Sequence, residues 1–149
     1  MTRILFVCTG NTCRSPMAEA ILKSKSVPGI EVRSAGVFAT NGDEASQHTK
    51  KVLEDEKITL SHQSTLLTEK EVDWATFILT MTSGHKASIL SMFPSAHGKT
   101  FTLKEFAGSG DNLDIMDPFG GPLEVYQFTY NEINENINKI LDKLEKQRG

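Results

Sequence analysis

Four short apolar runs, at residues 3–7, 30–34, 75–81 and 100–103, alternate with segments of helical character, and this alternation constrains the fold most. Strands separated by helices need crossover connections, so the pattern predicts an α/β fold: a four-stranded parallel sheet with helices on both faces. The first run is rich in branched and aromatic residues and stops at a Gly-containing polar turn, as a buried strand does. Ser15-Pro16 then opens a helix, because proline costs nothing in a first turn, where its missing donor has no partner. Met17, Ala18, Ile21 and Leu22 give that helix an apolar face as far as Lys25.

The second run ends at Ala35-Gly36, and a helix is predicted over 44–57, followed by a loop through Ser61, His62 and Gln63. Thr68 and Glu71 have the spacing of a capping box, which predicts a short helix there. A helix over 83–92 follows the third run, and 111–122 is a long turn-rich loop. Tyr126, Tyr130, Ile133, Ile137, Ile140, Leu141 and Leu144 recur at helical spacing, the pattern of a core-packing amphipathic helix. Glu124 near its start and Lys143, Lys146 and Arg148 near its end suit the helix dipole. No repeat, low-complexity tract or linker divides the chain, so residues 1–149 are expected to form one domain with a single sizeable core.

A net charge of −3 supplies no basic field for nucleic acid or an anionic membrane, so any anion site must be local. No apolar stretch is long enough for a membrane span or a signal-peptide core, and a cytoplasmic location is expected. Cys8 and Cys13 are too few and too close for a secreted disulfide framework. His48, His62, His85 and His97 are scattered without the spacing of zinc ligands. Catalytic or redox chemistry is the expectation for the two cysteines, with no metal or organic cofactor.

In a parallel sheet of this kind ligands sit beyond the carboxyl ends of the strands, and residues 8–15 leave the first strand at that end. The segment reads Cys8-Thr9-Gly10-Asn11-Thr12-Cys13-Arg14-Ser15, followed by Pro16. A loop this short between a strand and a helix can curl until its backbone amides converge; Gly10 and Asn11 tolerate the left-handed backbone such a curl needs. Converging amides and a helix N-terminus form a nest for the oxygens of a phosphoryl group. Arg14 can add a bidentate pair of hydrogen bonds. The same field favours Cys8 as thiolate, the nucleophilic form of sulfur. Ser15 can donate a hydrogen bond to that sulfur and help it leave in a second step. Asp117-Pro118, in the turn-rich loop, is the best-placed proton donor: an acid to the leaving group first, a base to water second.

These residues resemble the low-molecular-weight protein phosphatases over essentially the whole chain. The resemblance is carried by Val7-Cys8-Thr9-Gly10-Asn11-Thr12-Cys13-Arg14-Ser15-Pro16-Met17-Ala18-Glu19, then Arg33-Ser34-Ala35-Gly36, then Asp117-Pro118. It implies a two-step reaction through phosphocysteine, with Cys8 as nucleophile, Arg14 as phosphate ligand, Ser15 as thiolate partner and Asp117 as acid and base. It also implies that Asn11, with Ser34 and His62, braces the loop; for His62 a solvent-exposed loop position is the alternative.

Two positions depart from the usual pattern. Tyrosine-specific members generally carry an aliphatic residue where Thr12 stands, and Thr12 resembles the bacterial protein-arginine phosphatase branch. A threonine keeps the β-branch but turns a hydroxyl toward the phosphoryl group, where it can bond near a P–N bond and disfavour an apolar phenol ring. Neutral drift is the alternative. Phe119-Gly120-Gly121 follows Asp117-Pro118 where many relatives carry tyrosines, so regulation through such tyrosines is not expected. Phe38 and Phe119 either wall the cleft or belong to the core. Cys13 either packs structurally or traps oxidised Cys8 as a disulfide. The implied partners are phosphorylated proteins, with phosphoarginine preferred to phosphotyrosine, acted on by a monomer. Thioredoxin-coupled arsenate reductases need two later cysteines that this chain lacks. A phosphocysteine carrier needs neither Arg14 nor an acid loop, and a non-catalytic phosphate module needs no nucleophile.

Overall fold

The computed structural model describes residues 1–110 and 112–148, without the side chains of 147 and 148. Asp111, the first residue of the predicted turn-rich loop, and the Arg148 side chain, expected at a helix end, lie outside the described residues. Strand β1 (Thr2–Cys8) is the hub. Strand β2 (Ile30–Gly36) pairs parallel on one side and β3 (Phe77–Thr80) on the other; β4 (Thr100–Thr102) completes the order β2-β1-β3-β4. Ile4, Phe6 and Cys8 enter one core cluster while Leu5 and Val7 enter another, because successive side chains of a strand leave opposite faces. Both sets are apolar because both faces are covered, and each large side chain buried this way contributes about 1.5–3 kcal/mol.

Helices α1 (Arg14–Ser24) and α2 (Gln47–Asp55) cover the first face. Helices α3 (Glu69–Trp74) and α4 (Ser83–Met92) cover the second through Val72 and Ile89. The short α5 (Leu103–Ala107) and the long α6 (Leu123–Arg148) join the first layer, where Leu103, Phe106, Ile133 and Ile137 meet α1 and the sheet. Pinned between the sheet on one side and α2 and α6 on the other, α1 is buried around most of its girth.

Several predicted boundaries move. Helix α2 starts only after Ser46, whose hydroxyl accepts from Thr49 N at 3.3 Å, and stops before Lys57, which takes a left-handed φ of 60°. The third strand is shorter than 75–81, since Ala75 caps α3 and the Met81 carbonyl accepts from Ile115 N at 2.7 Å. Leu103 begins a helix instead of ending a strand: Glu105 N donates to Thr102 Oγ1 at 2.9 Å, Thr102 N donates back to Glu105 Oε1 at 3.1 Å, and Gly108 ends the helix at φ 75°. The predicted helix over 83–92 coincides with α4.

From β1 the chain passes to β2 on one side and later to β3 on the other. Such a reversal of strand order opens a crevice beyond the carboxyl end of the strand between them, where Cys8 stands.

Candidate active site

The loop from Cys8 to Arg14 is held by its carbonyls. Cys8 O accepts from Val37 N at 3.0 Å, Thr9 O from Phe38 N at 2.9 Å, and Thr12 O from Ser46 N at 2.9 Å. Asn11 O accepts from His62 Nε2 at 2.7 Å. In a trans peptide the C=O and N–H point opposite ways. Tethering these four carbonyls therefore turns the amides of Thr9, Gly10, Thr12 and Cys13 away from the tethers and into the curl. The first turn of α1 follows directly, so an amide nest and a helix N-terminus face the same space.

The left-handed residue that closes the curl is Asn11, at φ 56°. Gly10 tolerates the same conformation but does not take a positive φ, so Asn11 alone makes the turn. The glycine that the geometry demands is Gly36 at the end of β2. A Cβ there would collide with the Thr9 carbonyl and lie 2.9 Å from Asn11 N, both backbone atoms that cannot step aside.

Beneath the curl the Asn11 side chain is fully buried. Its Nδ2 donates to Ser15 Oγ at 2.8 Å and to Ser34 Oγ at 2.9 Å, while its Oδ1 accepts from Thr65 N at 2.9 Å. Ser34 passes its own hydrogen to Glu19 Oε1 at 2.5 Å, and Lys23 Nζ donates to Glu19 Oε2 at 2.6 Å. His62 Nδ1 lies 3.7 Å from the same carboxylate. Burial works to raise the Glu19 pKa, but hydrogen bonds from His62, Lys23 and Ser34 outweigh it and hold the group at about 2. Glu19, in the motif that runs from Val7, is thus the anchor charge of this network.

Ser15 Oγ lies 2.9 Å from Cys8 Sγ. That oxygen accepts from Asn11, and its hydrogen has two acceptors in reach, the sulfur and, at a longer 3.5 Å, Ala35 O. Arg14, 4% exposed, donates through Nη1 to Ile115 O at 2.8 Å, and its Nη2 lies 3.7 Å from Asp117 Oδ2. One guanidinium therefore joins the curl to the loop that carries Asp117. That loop is docked further by Asp114 Oδ1, which accepts from Ser83 N at the start of α4 at 2.8 Å. Asp117 is exposed, and its Oδ1 accepts from Phe119 N at 3.0 Å in a local turn.

Thr12 is half-buried, with its hydroxyl over Gly10 and 3.9 Å from Cys13 Sγ. Cys13 is buried; its sulfur meets Ser46 Oγ at 3.5 Å and Tyr126 Oη at 3.7 Å, and both cysteines are free. Phe38 and Phe119 are 81% and 76% exposed, so neither is a core residue. Phe38 adjoins the curl through Thr9, and Phe119 adjoins Asp117. His85, scattered by spacing alone, is buried with Nε2 2.8 Å from Thr9 Oγ1 and Nδ1 3.0 Å from Thr82 Oγ1. Thr9 and His85 stand 76 positions apart, and no local pattern links residues at that separation. No group of three or more His, Cys, Asp or Glu side chains among the described residues could hold a metal ion.

A buried cysteine at a strand end, beside a tethered curl of amides and a fixed arginine, is the arrangement that anion binding with covalent chemistry would need. The chain belongs to the low molecular weight phosphotyrosine protein phosphatase family, whose model matches residues 3–149. It is 55% identical to a protein-arginine-phosphatase of Geobacillus stearothermophilus over 146 residues, 98% of each chain. It is 39% identical to the low molecular weight protein-tyrosine-phosphatase PtpB of Staphylococcus epidermidis, across 96% of this chain and 99% of that one. Among solved structures, the YwlE arginine phosphatase, in a cysteine-to-serine mutant with phosphorylated active site serine, aligns at a TM-score of 0.94 and 43% identity. That alignment covers 99% of this chain and 98% of the other.

Proposed function

We propose that this protein removes phosphoryl groups from arginine side chains of proteins through a phosphocysteine on Cys8, with residues 1–149 forming one phosphatase domain. The observation that carries this reading is the short contact between Cys8 Sγ and Ser15 Oγ, with Asn11 already occupying the serine oxygen from the other side. With sulfur the nearer of its two acceptors, this hydroxyl donates to a Cys8 thiolate in the proposed reaction, stabilising it in attack and again as the leaving group.

In the first step the Cys8 sulfur attacks phosphorus and the P–N bond breaks; Asp117 gives its proton to the departing guanidine nitrogen. The amides of the curl and Arg14 hold the equatorial oxygens, whose charge grows in the transition state. In the second step the Asp117 carboxylate takes a proton from water, the water oxygen attacks phosphorus, and the S–P bond breaks to release phosphate. Asn11, Ser34 and His62 support the curl. Cys13 is a candidate trap for oxidised Cys8, and in the reduced state its sulfur is engaged by Ser46 and Tyr126. The thiolate, the guanidinium and the amides supply the electrostatics, so the reading uses no cofactor.

Arginine is favoured over tyrosine by Thr12 and by the name of the 55% identical relative; the 39% identical relative named as a tyrosine phosphatase keeps the second substrate in view. Among the described residues no helix is long and apolar enough to cross a membrane. A cytoplasmic monomer acting on phosphorylated proteins, and not on nucleic acid or membranes, completes the reading. The test is a side-by-side measurement of kcat/KM on phosphoarginine and phosphotyrosine peptides. The wild type should prefer phosphoarginine, and Thr12→Ile should move the preference toward phosphotyrosine. Equal preference in both proteins would remove Thr12 as selector.

A further inference from the structure

Helix α4 touches both walls of the crevice with its first turn. Ser83 N takes the Asp114 carboxylate of the acid loop, and His85, two residues on, reaches Thr9 at the entrance to the curl. The His85 ring is buried, with each nitrogen against a different hydroxyl. Thr82 is the guide to which nitrogen carries the hydrogen. Its Oγ1 accepts from His85 N at 3.1 Å as the N-cap of α4, and Nδ1 at 3.0 Å is an acceptor within reach of its own hydrogen, the arrangement that uses both capacities of the hydroxyl. The hydrogen of a neutral ring is then on Nε2, which donates to Thr9 Oγ1, and the Thr9 hydroxyl is left with a hydrogen of its own to give. Thr9 is exposed at the mouth of the crevice, so that hydrogen turns to whatever enters.

We infer that His85 is a positioning residue: through the relay Thr82 to His85 to Thr9 it fixes the first residue of the phosphate curl against α4 and makes the Thr9 hydroxyl a hydrogen donor to the bound phosphoryl group. The ring stays neutral at pH 7. Burial foremost, then the Arg14 guanidinium, holds its pKa down at about 4 against the opposing pull of Asp117 and Asp114. A charged ring would carry a hydrogen on Nδ1 as well and could no longer accept from Thr82.

The kinetic arm of the test rests on the proposed phosphatase reaction, and two other arms do not. Nitrogen-15 NMR of the whole wild-type protein at pH 7 should find His85 with hydrogen on Nε2 and a bare Nδ1; the reverse tautomer would overturn the relay. Affinity for inorganic phosphate should fall about 3–10-fold in Thr9→Val and by a similar factor in His85→Ala, the size of one hydrogen bond. The double variant should bind no worse than Thr9→Val alone, because the two changes remove one interaction. His85→Gln should restore most of the loss, since a glutamine amide can place an N–H near the Nε2 position. The same ordering should appear in kcat/KM on a phosphoarginine peptide. Losses that add in the double variant, or a His85→Ala protein that binds phosphate normally, would overturn the inference. Should the wild type turn over neither phosphoarginine nor phosphotyrosine while these phosphate affinities hold, the phosphatase reading falls and the relay stands.

Discussion

Asn11, beneath the curl, and Asp117, on the loop across the crevice, are held in opposite ways. Asn11 is fully buried and tied through its side chain and carbonyl to Ser15, Ser34, Thr65 and His62. Asp117 keeps about half of its side chain in solvent and meets Phe119 N and, at 3.7 Å, Arg14. The difference teaches which part of the chemistry needs rigidity. Stabilising charge on a phosphoryl group requires donors fixed before the charge appears, so the curl is locked from beneath by a network ending on the half-buried Glu19 carboxylate. Proton transfer requires a carboxyl group that admits substrate and water and exchanges its proton, and the proposed acid, Asp117, sits on a loop touched down at a few points.

The contrast breaks most severely at the sulfur. Cys8→Ser should lose turnover altogether while inorganic phosphate still binds, because the amides and Arg14 remain; residual turnover near that of wild type would remove Cys8 as nucleophile. Across the crevice, Asp117→Asn should slow phosphoryl transfer by about 10²–10⁴ without lowering thermal stability, as befits an exposed residue. A smaller loss in single-turnover rate would place the acid elsewhere.

Beneath the curl the order of effects reverses. Asn11→Ala should lower stability by about 1–3 kcal/mol for each buried group it strands, and weaken phosphate binding along with it. Denaturant unfolding with and without phosphate would sharpen the comparison; an unchanged midpoint would mean the brace is not needed to hold the curl.

The smallest effect is a pH dependence in two windows. His85 titrates near 4 in the folded chain against an ordinary 6.5, so unfolding is favoured as pH falls from 6.5 to 4 and this contribution levels off below. Glu19 titrates near 2 against an ordinary 4.5, so its contribution is complete above 4.5 and is lost as pH falls from 4.5 toward 2. Unfolding free energies of His85→Gln and Glu19→Gln against wild type should flatten the upper and the lower window respectively. A wild-type curve already flat from 6.5 to 4 would contradict the buried neutral ring.

Local patterns made much of this molecule legible. The strand-helix alternation yields the parallel sheet, and the Thr68 to Glu71 spacing yields α3, where Thr68 N donates to the Glu71 carboxylate at 2.9 Å. The same spacing at Thr102 and Glu105 marks α5, but with five residues that helix is too short to show a helical period of its own. In the site, what lies within residues 8–15 could be argued from sequence, whereas its supports come from afar. Gly36 is required by the backbone of the curl at Thr9 and Asn11, and His85 reaches Thr9 across the crevice. Contacts that arise only on folding leave no spacing to read, and neither the demand on Gly36 nor the place of His85 shows in the sequence.

Covalent chemistry at Cys8 is tested most directly by rapid quenching. Wild-type protein mixed with a phosphoarginine peptide, stopped within one turnover and mapped by mass spectrometry, should carry its phosphate on the Cys8 sulfur. Peptide dephosphorylated within that turnover with Cys8 unmodified at every time point, or phosphate on any other side chain, would contradict the phosphocysteine reaction.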